Sequence, residues 1–75
     1  MPILPIKLKQ LRKDLGLSQQ QAADTVLSPK RSWQNWETTL GKTNHRAMPE
    51  PILELFCKKN NIKYKIVDKK VLIEL

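Results

Sequence analysis

The chain has one cysteine and one histidine among its 75 residues. A single thiol excludes an internal disulfide framework and any multi-cysteine zinc site. Cys57 sits beside Leu53 and Phe56 in a helical pattern, which suits a buried structural thiol. His45 has no Cys, Asp or His at ligand spacing, so it is read as solvent-exposed or phosphate-facing and no metal is expected. Without a glycine-rich phosphate loop as well, nothing remains from which to assemble a catalytic site, and neither an enzyme nor a cofactor is expected. Tyr64 and Phe56 do not make an exposed stacking platform for single strands. No apolar run approaches the ~18–20 residues that a membrane span requires, so no membrane partner is expected. Met1-Pro-Ile-Leu-Pro5 is too short and too proline-rich for a signal peptide, which points to the cytoplasm. Acidic residues are also scarce: seven Asp and Glu face 14 Lys and Arg, for a net charge of +7 and a pI near 9.9. That balance points to a polyanionic partner.

The chain does contain clear helix punctuation. Residues 1–5 read as an extended arm, because Pro2 and Pro5 oppose early helix formation. A first helix is expected from about Pro5 to Leu15, with Leu8, Leu11 and Leu15 as its apolar stripe and Gly16 as its left-handed stop. Ser18 is placed to cap a short helix through Gln19–Val26, in which Ala22, Ala23 and Val26 let a neighbour approach closely. Gln19, Gln20 and Gln21 are expected to project away from that packed side. Ser28 is placed to cap the next helix, with Pro29 at its first position. At ~100° per residue, Trp33, Trp36, Glu37 and Leu40 share one side of that helix. Arg31, Gln34, Asn35 and Thr38 share the other, with Lys30 on the flank. That second side holds a cation, two carboxamides and a hydroxyl but no carboxylate, whereas an ordinary solvated face mixes Glu with Lys. Its side chains are able to pair with base edges.

Thr39 to Met48 read as a polar loop, whose Lys42, Asn44 and Arg46 could hold phosphates. Pro49-Glu-Pro51 opens a last helix that carries Ile52, Leu53 and Phe56 and ends near Asn60-Asn61. From Ile62 the apolar period changes to two. A two-residue loop at Asp68-Lys69 sets 66 opposite 71, 64 opposite 73 and 62 opposite 75, with Lys63 meeting Glu74 on the other face. A two-stranded hairpin is marginal alone, so it either packs on the helices or pairs with a second copy.

Two short helices joined by a tight turn form the unit that lays its second helix in the DNA major groove. The stretch from about Lys7 to Cys57 resembles the Cro/repressor-type, or XRE-type, helix-turn-helix family. The carrying residues are Leu11-Arg12, Leu15-Gly16-Leu17-Ser18-Gln19, Ala23, and Trp33, Trp36 and Glu37, without a gap from Leu17 to Glu37. Arg31 to Glu37, with Arg46-Ala-Met-Pro49, is also similar to small phage regulators, including those encoded beside anti-CRISPR genes. Leu27-Ser28 stands where the family usually has glycine, and the loop after Glu37 is a few residues longer than usual.

The resemblance implies a mostly α fold: a four- to five-helix repressor-like bundle over residues 1–61, with the hairpin of 62–75 as an extension outside the family core. It implies that Lys30, Arg31 and Gln34 approach bases, and that Ser32, Asn35 and Thr38 read bases or hold phosphate. It implies a phosphate contact at Gln19, beside Ser18, with Gln19 also buttressing the recognition helix. Arg12 and Glu37 become a structural pair, and Trp33 and Trp36 the anchors. The expected function is a sequence-specific double-stranded DNA-binding regulator, a homodimeric and often autoregulatory repressor on a pseudo-palindromic operator. The hairpin is expected to aid dimerisation. The alternative expectation is an antitoxin or another protein-interaction module in which DNA binding is secondary and the hairpin binds another protein.

Overall fold

Among the described residues, prolines open three of the four helices, and a capping box opens the other. A computed structural model describes residues 3–74 and contains α1 (Pro5–Asp14), α2 (Gln19–Thr25), α3 (Lys30–Glu37), α4 (Glu50–Lys59), β1 (Tyr64–Val67) and β2 (Lys70–Ile73). Pro5 is the buried first residue of α1, where its missing N–H leaves nothing unsatisfied. The expected amino-terminal arm therefore ends at Leu4, and Ile3 packs against the core; Met1 and Pro2 lie outside the described residues. At α2, Ser18 Oγ accepts from Gln21 N–H while Gln21 Oε1 accepts from Ser18 N–H.

The start of α3 differs from expectation. Ser28 is not its cap: the Ser28 hydroxyl donates to Val26 C=O, and extended Pro29 takes the N-cap position. Proline at 29 stiffens the entry, but no side chain satisfies the first N–H groups of α3. α3 also ends sooner than an extrapolated helical period implies. Thr38 is extended, so Leu40 leaves the apolar side and stands half exposed.

The α2–α3 turn has the shape that glycine normally supplies. Leu27 sits at φ +56°, with Ser28 N–H bonded to Ala23 C=O and Leu27 N–H to Asp24 C=O. A left-handed leucine costs ~1–2 kcal/mol, and its 86% exposed side chain recovers nothing by burial. Leu27→Gly should therefore stabilise the chain by about 0.5–1 kcal/mol after the entropy that glycine adds to the unfolded state. A rise in the urea midpoint at constant slope would show this, and a fall would mean that the turn is unstrained.

Ala22 and Ala23 are fully buried where α2 meets α3, and their small size allows the close approach. Around them lie Trp33, Phe56, Leu8, Leu53 and Cys57, all fully buried. Trp33 is the hub: its ring lies 5.7 Å from Trp36, edge to face, and 5.1 Å from Phe56. Burial, with some help from the Glu54 charge, pushes the Cys57 thiol up to about 11, so it stays protonated near neutrality.

The strands pair antiparallel with Tyr64 opposite Ile73 and Ile66 opposite Val71. Asp68 and Lys69 both take left-handed angles, as a two-residue turn of the type that matches strand twist requires. The pairing of 62 with 75 lies outside the described residues, because Leu75 is not among them. The hairpin packs on its own helices: Val71 is buried, Tyr64 Oη donates to Glu54, and Val71 N–H donates to Glu50. No helix among the described residues is long and apolar enough to cross a membrane.

Candidate nucleic-acid interface

The outward side of α3 is held in place by what its inward side buries. Trp33 and Trp36 face the core, while Lys30, Arg31 and Gln34 are exposed and Ser32 and Asn35 are half-buried. The one carboxylate of α3, Glu37, points inward and accepts four hydrogen bonds. Arg12 donates from Nε at 2.6 Å and from Nη2 at 3.1 Å, Gln19 Nε2 donates at 3.2 Å, and Trp33 Nε1 donates as well. Arg12 spends a further N–H on Leu17 C=O. The Glu37 side chain is only 4% exposed and that of Arg12 10%. Burial pushes the Glu37 carboxyl up, but the hydrogen bonds from Arg12, Trp33 and Gln19 outweigh it and hold the group below its ordinary value. This knot ties α1, the start of α2 and the end of α3 together, and it pairs the one carboxylate of α3 with the Arg12 cation.

Around that face the structure gathers residues from four segments. Arg31, Gln34, Asn35 and the neutralised Glu37 of α3, with Thr38 just beyond it, line a shallow depression with Gln19 of α2, Asn44 of the following loop and Lys9 of α1. Nothing in the sequence marks Lys9 beyond its place on the polar side of α1. Lys30, Ser32, Ser18, Lys42 and Arg46 do not line the depression.

Several of the expected contact residues have part of their bonding capacity engaged. Gln19 does not project away from the fold: it is half-buried, and one of its two amide hydrogens goes to Glu37. Thr38 gives its hydroxyl hydrogen to Gln34 C=O, which leaves it an acceptor and no donor for phosphate. Ser18 Oγ is committed to the α2 cap as an acceptor but keeps its own hydrogen. Arg46 folds back on its loop, donating to Thr43 and His45 carbonyls, while its backbone N–H ties the loop to Asn35 C=O. Lys42 is exposed and makes no side-chain hydrogen bond or ion pair among the described residues.

His45 is neither solvent-exposed nor phosphate-facing. It is half-buried, with Nδ1 2.9 Å from Thr38 C=O; a carbonyl only accepts, so Nδ1 carries hydrogen. Met48, which ends a stretch of polar loop sequence, is 2% exposed and belongs to the core. His45 holds the long 38–49 connection against the end of α3, and Met48 anchors it in the core. No group of three or more potential metal ligands occurs among the described residues.

No family model, curated protein or solved structure matches the chain.

Proposed function

We propose that this chain is a sequence-specific double-stranded DNA-binding regulator, in which α3 enters the major groove. The observation that carries this reading is the sidedness of α3. Its tryptophans are locked in the core, its carboxylate is turned inward and neutralised, and a cation with two carboxamides stands outward. Arg pairs bidentately with guanine, and Asn or Gln with adenine, each worth ~1–3 kcal/mol of discrimination. Lys9, Lys30 and Lys42 supply salt-dependent affinity that carries no sequence information. A homodimer of the chain reads a pseudo-palindromic operator with half-sites about one helical turn apart, and acts as a repressor.

Selection of bound duplex from a random pool tests the reading, with a palindromic consensus as the expected result. Arg31→Ala then relaxes preference at one base position per half-site. Lys9→Ala weakens binding to all sequences alike and lowers the salt slope by about one. If no sequence is enriched, this reading is wrong.

A second reading, an antitoxin or other protein-interaction module with secondary DNA binding, is favoured by the distribution of charge. Six lysines between residues 58 and 74 face two carboxylates, an excess of +4 out of the net +7. That excess lies on the end of α4 and the hairpin, whereas α3 packs on α1 and α2.

A further inference from the structure

The β2 edge of the hairpin has Val71 N–H taken by a helix carboxylate, whereas the β1 edge is open. Glu74 N–H bonds to Lys63 C=O, so 63 and 74 form a hydrogen-bonded pair, and alternation makes 64–73 and 66–71 non-bonded pairs. The backbone groups of Val71 therefore point away from β1, and its N–H is taken by Glu50. By the same alternation the N–H and C=O of Tyr64 and Ile66 point away from β2. They have no hydrogen-bond partner among the described residues, and the sheet has two strands. Beside this free edge stand Ile66, 51% exposed, and Val67, 44% exposed, with Leu72 across the ladder at 43%. The lysines are interleaved with them: Lys65 lies opposite Leu72, and Lys70 opposite Val67.

We propose that the β1 edge is a docking site for an extended acidic segment of another protein, which adds a third strand to the hairpin. Backbone pairing to Tyr64 and Ile66 supplies the affinity, and side-chain alternation supplies the selectivity. Lys63, just before β1, and Lys65 share its outer face and select carboxylates on the incoming strand. Tyr64 and Ile66 share the inner face and select apolar side chains.

A second copy of this chain is the competing occupant, and it fits poorly. The antiparallel register that uses all the outward groups of 64 and 66 sets Lys65 directly against Lys65 of the copy. Like charges directly opposite each other destabilise a strand pair, and edge lysines oppose self-pairing. Nucleic acid matches the charge but has no use for the open amides with apolar neighbours. This surface is separate from α3. On α1, Lys9 lies on the α3 side, while Lys7, Gln10, Leu11 and Asp14 border the groove toward β2.

The test uses the full chain and a capped heptapeptide that alternates Glu and Val, starting and ending with Glu. Amide resonances of Tyr64–Val67 should shift on titration, with those of α3 unmoved. Lys65→Glu should weaken binding on the order of tenfold and transfer preference to the matching Lys/Val peptide. The Glu/Val peptide N-methylated on its pairing edge should not bind. The proposal is overturned if the unmodified peptide leaves β1 unmoved at millimolar concentration, or if random duplex DNA shifts the hairpin amides instead. It is equally overturned if sedimentation shows a dimer that Ile66→Lys dissociates, because the edge is then occupied by the copy. None of these outcomes depends on whether α3 selects a DNA sequence, so the two readings stand or fall separately.

Discussion

Glu37→Ala should destabilise the chain by ~3–5 kcal/mol, the usual cost of removing one partner of a buried ion pair. The loss goes beyond the attraction itself, because Arg12, 10% exposed, is left with only Leu17 C=O, and Gln19 and Trp33 lose their acceptor. A 75-residue domain has about 4–11 kcal/mol in total, so the variant should be partly unfolded at room temperature or lose more than about 12 °C in Tm. Urea denaturation followed by circular dichroism measures this directly, and a change under about 1 kcal/mol would mean that the knot is solvated.

The same site gives stability a pH dependence of defined sign. The folded-state pKa of Glu37 lies below its ordinary 4.5. The stability it contributes is therefore complete above about pH 4.5 and is lost as pH falls through the lower folded value. Glu37→Gln should remove that acid-sensitive component, so that its stability changes less than the parent's below pH 4.5.

Trp33→Ala should cost ~3–5 kcal/mol by a different route, through a cavity at the centre of the core. Trp33 is fully buried, touches the rings of both Trp36 and Phe56, and donates to Glu37. Its loss should leave helical circular dichroism with a broadened, weakly cooperative melt. Trp33→Phe should recover part of the packing but not the hydrogen bond. Trp33 and Glu37 share that bond, so the double variant should be less destabilised than the two single losses added together. Strict additivity would show that the indole and the carboxylate act independently. Both substitutions should also lower DNA affinity in proportion to the unfolded fraction, whereas Arg31→Ala should lower it in a folded chain.

What was legible in the sequence was set by neighbours close along the chain. The left-handed stop at Gly16, the Ser18 cap and the Asp68-Lys69 turn each follow from a few adjacent residues, and the register 64–73 and 66–71 follows from a period-two pattern. The division of α3 into tryptophans inward and Arg31, Gln34 and Asn35 toward the outside follows from its angular period. Where that period was carried past the end of the helix, at Leu40, it misplaced a residue. Ser28 was misassigned because Pro29, able to stand at either N-cap or N1, took the cap position itself.

The sequence by itself determined the helices, the hairpin turn and register and the charge balance, because these rest on local backbone preferences and residue spacing. Only the tertiary structure decided which polar groups remain available. It turned Gln19 toward Glu37, engaged the hydroxyl hydrogen of Thr38, tucked His45 against α3 and buried Met48. It brought Lys9 to the α3 depression and used the inner face of the hairpin within the monomer, leaving the β1 edge open. Those outcomes depend on contacts such as Arg12 to Glu37, 25 residues apart, a pair that the family resemblance implies but no local pattern specifies. Each is set by competition among donors for a few buried acceptors, and that competition begins only once the helices have met.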